Sequence, residues 1–241
     1  MCRLYGILAD RPVRMHRAFA ALRSQSHEHK DGWGVANFEG PALEVTSGLE
    51  PAHGSARFLD LGALQSRSLL AHIRLASVGG VCSTNAHPFV GEGWAFSHNG
   101  TIRRFAEHRD RFESLLPENR RAAIRGQTDS ERCFQFFLHH LEGPSLPQVA
   151  RALAKVMRAV DQIFDQGQAD KSSTNFLVSN GTVMAATRRG RTLFTAEVPG
   201  ARMIASEQLW HDHPWTEVPE EQVIGMDRSP GFQRFDAKAL L

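Results

Sequence analysis

A cysteine at the second position is the residue of this sequence with the greatest chemical potential. Processing usually removes an initiator methionine when the next residue is small, and loss of Met1 would leave Cys2 with a thiol and a free α-amine. Such an amine titrates near about pH 7.7–8. A thiolate is a strong nucleophile, and an adjacent amine can take its proton. Cys2 can therefore supply nucleophile and base together; the alternative is a small buried residue beginning a first strand.

Arg74 is a second candidate, because it ends the apolar run of residues 68–74. A guanidinium is costly to bury unless it meets an anion, and its planar fork of donors matches a carboxylate. Binding of a substrate carboxylate and an internal salt bridge are equally good interpretations of this fragment. Ser77 ends the same polar interruption and is a further candidate for substrate contact.

Asn99 and Gly100 follow the apolar run of residues 94–98. An Asn-Gly step usually indicates a hairpin turn. No second strand follows here, because residues 101–104 lead into a helical pattern. The Asn99 amide and the Gly100 N–H can therefore both point at a developing oxyanion. Asn180-Gly181 is the contrast: predicted strands flank it on both sides, and there the turn interpretation is preferred.

Asp129 and His87 complete the set of candidates. Asp129 lies in the run Thr128–Glu131, whose types are those of a capped helix start. In the structural interpretation, Asp129 is an acid in the first helical turn, where the helix dipole favours it. In the functional interpretation, its carboxylate binds a substrate ammonium. His87, in the segment 85–89, either lines a pocket or is a hydrogen-bonded loop histidine.

The elements that must position these residues come in an order of strands, helices and strands again. This order lacks the alternation of βαβ units, so we expect an α+β fold of antiparallel sheets with segregated helices. The predicted strands are 4–8, 32–38, 43–46, 68–74, 94–98, 176–179, 182–186, 193–198, 202–206 and 222–226, with a turn at 39–41. The predicted helices are 15–22, 105–115, one from 128 and 145–164.

Composition narrows the class of protein. A chain of 241 residues with 41% hydrophobic and 22% charged residues can form one globular domain, which we expect over residues 1–241. The net charge of +2 argues against nucleic acid or an anionic membrane surface, and the clusters Arg120-Arg121 and Arg188-Arg189 indicate solvated surface. No signal-peptide pattern or long apolar run is present. We expect a cytoplasmic protein with reduced cysteines and no membrane span.

Metal and cofactor sites are not predicted. Three cysteines form no CxxC pair or zinc spacing. The histidine pairs His27/His29 and His211/His213 lack carboxylates at ligand spacing, so we interpret them as surface or supporting residues.

Six short motifs, in order along the chain, together resemble the class II glutamine amidotransferase family of N-terminal-nucleophile hydrolases. The segment Asp31-Gly32-Trp33-Gly34 and the late segments 205–209 and 215–219 are similar to its stand-alone branch of γ-glutamyl hydrolases. The six motifs are Met1-Cys2-Arg3, His29–Gly34, His72-Ile73-Arg74, Asn85–Phe89, His98-Asn99-Gly100 and Thr128–Glu131.

This resemblance implies a four-layer αββα sandwich of two mainly antiparallel sheets, with the cysteine at the end of a central strand. It implies that Cys2 is the nucleophile and its own α-amine the base. Asn99 and the N–H of Gly100 would form the oxyanion hole. Arg74 would bind the α-carboxylate of a γ-glutamyl group and Asp129 its α-ammonium. His87 and Ser77 are expected to contact substrate.

The resulting prediction is hydrolysis of a γ-glutamyl amide bond, in glutamine or a γ-glutamyl compound, through a glutamyl thioester and without cofactor or metal. One alternative is a glutaminase subunit that supplies ammonia to a separate partner synthase. Another is a catalytically silent γ-glutamyl-binding protein. Segments 48–66 and 207–219 are expected to select the leaving group. A homodimer could form through an unpaired sheet edge or through the Phe-rich helix near Phe134.

Overall fold

A computed structural model describes residues 2–39 and 42–241. Met1 lies outside the described residues, as do Gly40 and Pro41, on which the predicted turn at 39–41 falls. The described strands are β1 (Arg3–Arg14), β2 (Trp33–Glu39), β3 (Ala42–Gly48), β4 (Gln65–Ile73), β5 (Phe89–Gly91), β6 (Trp94–Asn99), β7 (Asn175–Ser179), β8 (Met184–Arg188), β9 (Phe194–Val198), β10 (Ala201–Ala205), β11 (Thr216–Glu217), β12 (Gln222–Met226) and β13 (Gln233–Asp236). The described α-helices are α1 (His16–Gln25), α2 (Ala56–Asp60), α3 (Phe105–Glu113), α4 (Glu118–Ala122), α5 (Asp129–His140) and α6 (Leu146–Val160).

Each predicted strand and helix is present, with ends shifted by a few residues. The predicted helix 145–164 is α6 continued by a π-helical turn, Asp161–Asp165. The short elements β5, β11, β13, α2 and α4 were not predicted, because so few residues show no periodicity. No helix within residues 2–39 and 42–241 combines the length and the apolarity needed to span a membrane.

The strands form two sheets, and every pairing between described strands is antiparallel. The first sheet has the order β11-β9-β10-β1-β4-β2-β3, and the second has the order β13-β12-β8-β7-β6-β5. The strand β1 is therefore central in the first sheet and lies between β10 and β4. The hairpin predicted at Asn180-Gly181 joins β7 to β8, with Ser179 opposite Met184.

Three apolar clusters hold four layers together. Leu4 of β1 and Met184 of β8 belong to the cluster between the two sheets. Phe19 of α1 packs in a cluster on the outer face of the first sheet. Phe137 of α5 and Leu153 of α6 pack in a third cluster, outside the second sheet. The layers are helix, sheet, sheet and helix, which confirms the predicted αββα sandwich.

Phe134 also lies in the third cluster, where it is 1% exposed. The helix near Phe134 therefore buries this side chain inside the chain, and the homodimer stays a prediction. The amphipathic pattern of α5 is satisfied inside the chain, against the second sheet.

Three strand ends converge at one end of the sandwich. In the first sheet Arg3 of β1 pairs with Ile73 of β4, so the residue before β1 lies beside the residue after β4. In the second sheet Asn99 ends β6 opposite Asn175 of β7. Antiparallel pairing thus brings Cys2, Arg74 and Asn99 to the same end of the sandwich although they are far apart in sequence.

The start of α5 lies at this end of the sandwich too. The hydroxyl oxygen of Thr128 accepts a hydrogen bond from the Glu131 N–H at 3.2 Å, which is the predicted helix cap. The Glu131 carboxylate does not return to Thr128; it accepts from the N–H groups of Arg125 (2.8 Å) and Gly126 (2.7 Å). This pair of contacts fixes the loop that leads into α5 and so fixes Asp129 at the first turn.

Candidate active site

The thiol of Cys2 is held by one residue of the opposite strand end. The Leu75 N–H donates to Sγ at 3.3 Å, and the thiol can donate to the Leu75 carbonyl oxygen at 3.4 Å. The Cys2 residue is 9% exposed, and burial raises the pKa of its thiol. A thiol in this environment is protonated at neutral pH and needs a base before it can attack.

Two small cavities meet at Cys2. Both are lined by Cys2, Leu75, Ala76, Ser77 and Gly100. The smaller, of about 20 Å³, is called the Arg74 cavity, and the larger, of about 170 Å³, is called the Asn99 cavity. The other residues of the Arg74 cavity are Arg74, Val78, His87, His98, Thr128, Asp129 and Ser130. The other residues of the Asn99 cavity are Asn99, Thr101 and Arg191.

Arg74 is buried at the edge of the Arg74 cavity. Its guanidinium donates hydrogen bonds to the carbonyl groups of Val78 (3.2 Å), Gly79 (3.3 Å) and Gly80 (3.2 Å). It forms no ion pair with an acid in residues 2–39 and 42–241, so the internal salt bridge is not observed. Neutral carbonyls orient the guanidinium and leave its charge uncompensated, as a site for a carboxylate requires.

Asp129 is the acid of the same cavity and is 3% exposed. Its Oδ2 accepts from the Ile102 N–H at 2.7 Å, and its Oδ1 accepts from the N–H (2.8 Å) and the hydroxyl (3.1 Å) of Ser130. These donors fix the carboxylate without supplying a cation, and no basic side chain of the described residues forms an ion pair with it. An anion and a cation held this way in one cavity are complementary to a zwitterion.

Asn99 lines only the Asn99 cavity, and Gly100 lines both cavities. The Asn99 side-chain oxygen is buried and accepts no hydrogen bond from the described residues. A Cβ at Gly100 would overlap the Ser173 carbonyl oxygen and Nε2 of His98. Only glycine fits this backbone position, and no strand follows it, which confirms the prediction that Asn99-Gly100 is not a hairpin turn.

The histidines around the Arg74 cavity are neutral. His72 and His87 are stacked with ring centroids 4.4 Å apart, and burial lowers the pKa of both, that of His72 to about 3. His98 contacts the Ser130 hydroxyl (2.9 Å) and the Ser173 carbonyl oxygen (2.8 Å), and burial lowers its pKa as well. Both ring nitrogens of His87 lack a partner among the described residues. His87 therefore lines the pocket, as one of its two interpretations predicted.

Asp31 is a residue of the site whose role was not predicted. Its Oδ2 accepts from the Ala76 N–H at 2.7 Å, its own N–H donates to the Arg74 carbonyl at 3.2 Å, and the Arg74 N–H donates to Gly32 at 2.8 Å. Asp31 and Gly32 thus clamp the segment that carries Arg74 and Leu75. In the sequence, Asp31 belongs to the Asp-Gly-Trp-Gly motif, which indicates the family but does not show which backbone N–H the carboxylate binds.

Ser77 lines both cavities, and the Thr101 hydroxyl donates to its hydroxyl oxygen at 2.8 Å. The structure therefore brings together every site residue that the sequence predicted. Within residues 2–39 and 42–241 no group of three or more His, Cys, Asp or Glu side chains could hold a metal ion.

Comparison with known proteins identifies the family of this chain. The family model of the class-II glutamine amidotransferases matches residues 1–207. The chain belongs to this family. The Escherichia coli protein YafJ is 31% identical to this amidotransferase in an alignment of 195 positions that covers 77% of this chain and 72% of YafJ. The γ-glutamyl-hercynylcysteine sulfoxide hydrolase of Mycobacterium tuberculosis is 29% identical over 225 residues, 91% of this chain and 85% of that one.

A solved structure of a class-II glutamine aminotransferase domain protein from Silicibacter pomeroyi has the same fold. The two chains superpose with a TM-score of 0.72 at 20% identity, over 98% of each. The amidotransferase is therefore an enzyme of the N-terminal-nucleophile amidohydrolase type, as the resemblance of its motifs implied.

The expectation that the segments 48–66 and 207–219 select the leaving group stays a prediction. No residue of the segments 48–66 and 207–219 lines either cavity of the amidotransferase. The Ser55 hydroxyl donates to Glu50, and Trp210 packs under Arg17 with its ring centroid 4.7 Å from the guanidinium carbon. The segment 48–66 contains α2, and the segment 207–219 contains β11 and begins at Glu207, which forms an ion pair with Arg3 at 3.5 Å.

The interpretation of Arg188-Arg189 as solvated surface is wrong. Arg189 is 8% exposed and forms ion pairs with Asp161 (2.8 Å), Asp165 (3.3 Å) and Glu221 (3.3 Å). The sequence could not show this, because the three acids come from distant parts of the chain.

Proposed function

We propose that this protein hydrolyses a γ-glutamyl amide bond with Cys2 as the nucleophile and its α-amine as the base. The observation that carries the proposal is the position of Cys2 between two different cavities. On one side lie Arg74 and Asp129, a cation and an acid without ion-pair partners among the described residues. On the other side lies Asn99, and Gly100 lines both cavities; the Asn99 amide and the Gly100 N–H are the donors of this proposal.

The charges around the Arg74 cavity match those of the amino-acid end of a glutamyl group. The Arg74 guanidinium would bind the α-carboxylate through two parallel N–H donors, and Asp129 would accept hydrogen bonds from the α-ammonium. The glutamyl side chain then extends from this small cavity towards Cys2, where its γ-carbonyl meets Sγ. Holding both charges of the substrate places the carbonyl for attack and supplies much of the orientation on which catalysis depends.

Attack and release follow from the same geometry. The α-amine takes the thiol proton, Sγ forms a bond to the γ-carbon, and the π electrons of the carbonyl move to its oxygen. Asn99 and the Gly100 N–H stabilise that oxyanion. When the carbonyl re-forms, the C–N bond breaks, and the leaving nitrogen takes the proton from the α-ammonium. The product of this half-reaction is a glutamyl thioester on Cys2 and a free amine.

Water completes the cycle. The α-amine takes a proton from water as the water oxygen attacks the thioester carbon, and a second oxyanion forms in the same place. Collapse of this oxyanion breaks the C–S bond, the sulfur recovers a proton, and glutamate leaves. Because burial raises the pKa of the Cys2 thiol, the proton transfer to the amine must accompany attack.

The experiment measures glutamate released from a panel of γ-glutamyl amides, with glutamine included. The protein is first checked by mass spectrometry for an N-terminal Cys2. Wild-type protein is compared with Cys2→Ala and with a matched control, Cys82→Ala, which removes a cysteine that lines neither cavity. Cys2→Ala should release no glutamate and Cys82→Ala should match wild type.

Three other results would contradict the proposal. Turnover by Cys2→Ala would exclude the cysteine as the nucleophile. Tight binding of γ-glutamyl compounds without turnover, in protein that begins at Cys2, would indicate a binding protein. Glutamine hydrolysis that requires an added synthase would indicate an ammonia-supplying subunit.

A further inference from the structure

Arg191 separates the Asn99 cavity from a much larger cavity. The larger one, of about 950 Å³, is called the Arg189 cavity. Among the described residues, Arg191 is the one that lines both. A group leaving Cys2 on the side of Asn99 would therefore meet Arg191 before it reaches the larger space. Six basic and three acidic side chains line that space: Arg103, Arg158, Lys171, Arg189, Arg191 and Lys238, with Asp161, Glu220 and Glu221.

Arg191 differs from the neighbouring arginines in having no acid. Its guanidinium forms no ion pair in residues 2–39 and 42–241, and its buried Nε has no hydrogen-bond partner there. Its backbone is nevertheless fixed, because its carbonyl oxygen accepts from the side chains of Asn175 (3.0 Å) and Arg188 (3.2 Å). A buried donor without a partner is costly, and a fixed one beside a reaction site is suited to bind part of a ligand.

The acids of the Arg189 cavity do not neutralise Arg191. Asp161 and Glu221 are paired with Arg189, at 2.8 and 3.3 Å. Glu220 is paired with Arg188 at 3.5 Å, and its carboxylate also accepts from the Gly190 N–H at 3.0 Å. The route from Cys2 past Arg191 is therefore positively charged where Arg191 meets it.

We propose that Arg191 binds a carboxylate on the leaving amine and so selects γ-glutamyl amino acids and short γ-glutamyl peptides as substrates. This inference rests on the proposed function, since it assumes attack by Cys2 on a γ-glutamyl amide. The amine lies in the Asn99 cavity, its carboxylate pairs with Arg191, and a longer leaving group extends into the Arg189 cavity. Glutamine and γ-glutamyl alkylamides lack this carboxylate and leave the guanidinium without a partner.

The test compares two substrates that differ in one group. γ-Glutamyl-glycine has a carboxylate on its leaving group, and γ-glutamyl-glycinamide has the neutral amide in the same place. Glutamate release from both is measured for wild type, Arg191→Gln, Arg191→Lys and Arg228→Gln. Arg228 is the matched control, because it is an exposed arginine that lines none of the three cavities.

Wild type and Arg228→Gln should prefer γ-glutamyl-glycine. Arg191→Gln should lose about 10- to 100-fold in kcat/KM for γ-glutamyl-glycine, as expected for one charge-assisted contact, and less than about threefold for the glycinamide. Arg191→Lys should lose an intermediate amount, because it retains the charge without the planar fork. Retained hydrolysis of the glycinamide shows in the same assay that the variants are folded.

Two kinds of result would overturn the inference, and they are distinguishable. If wild type cleaves both substrates and Arg191→Gln changes both rates by the same factor, or neither, Arg191 does not read the carboxylate and the proposed function stands. If Arg191→Gln and Arg191→Lys both lose the glycinamide reaction as well, Arg191 is structural. If wild type releases glutamate from no γ-glutamyl amide, the proposed function fails, and the inference fails with it.

Discussion

Replacement of Asp31 tests whether the clamp on the Arg74–Ala76 segment positions the nucleophile. Asp31→Ala removes the carboxylate that accepts from the Ala76 N–H at 2.7 Å. A hydrogen bond to a charged group contributes about 1.5–3 kcal/mol, so the melting temperature should fall by about 3–12 °C. The two contacts of Leu75 with Sγ, at 3.3 and 3.4 Å, depend on the same segment. A shift of about 1 Å there can cost about 100-fold in rate.

We expect kcat/KM for a γ-glutamyl amide to fall about 10- to 100-fold in Asp31→Ala, measured as glutamate release per folded protein. Asp31→Asn keeps an acceptor oxygen, although a neutral one, and should recover most of the activity. Asp227→Ala is the matched control, because it removes a similar contact, with the Ser229 N–H at 2.8 Å, and Asp227 lines neither cavity beside Cys2. That control should lose stability and keep its activity.

The reasoning about Asp31 would be refuted by activity of Asp31→Ala within about threefold of wild type. An equal loss of activity in Asp227→Ala would refute it too, since the effect would then come from stability alone. Failure of Asp31→Asn to recover more activity than Asp31→Ala would show that the acceptor is not what matters.

Three further predictions concern Arg74 and Gly100, which line the Arg74 cavity, and His72, which stacks on His87 behind it. Arg74→Lys keeps the charge but loses the planar fork and should raise KM by about 10- to 100-fold, with a smaller effect on kcat, in steady-state assays. Gly100→Ala places a Cβ against the Ser173 carbonyl and His98, so it should cost about 1–3 kcal/mol in the free energy of unfolding and abolish glutamate release. His72, whose pKa burial lowers to about 3, binds a proton more readily when unfolded; stability should be full above about pH 6.5 and fall as pH drops towards 3. His72→Gln should flatten that fall in thermal melts across this range.

Much of the fold could be predicted because its signals are local. Alternating and apolar runs mark β1, β4 and β6, and an Asn-Gly step marks the turn between β7 and β8. Their order excluded a parallel sheet. Once antiparallel pairing places the start of β1 beside the end of β4, the meeting of Cys2 and Arg74 follows from topology.

What could not be predicted depends on contacts between distant segments. Asp31 reaches Ala76 across 45 residues, and no periodicity indicates such a contact. Arg191 follows two arginines that resembled a solvated cluster, and only the structure shows that Arg189 is paired while Arg191 is not.

The most direct test of the central claim is peptide mass spectrometry of the enzyme, acid-quenched during turnover of a γ-glutamyl amide. The account predicts a glutamyl adduct on an N-terminal peptide that begins with Cys2, lost when the thioester is treated with hydroxylamine. A fully active enzyme whose N-terminal peptide still carries Met1, or an adduct on any residue other than Cys2, would contradict it.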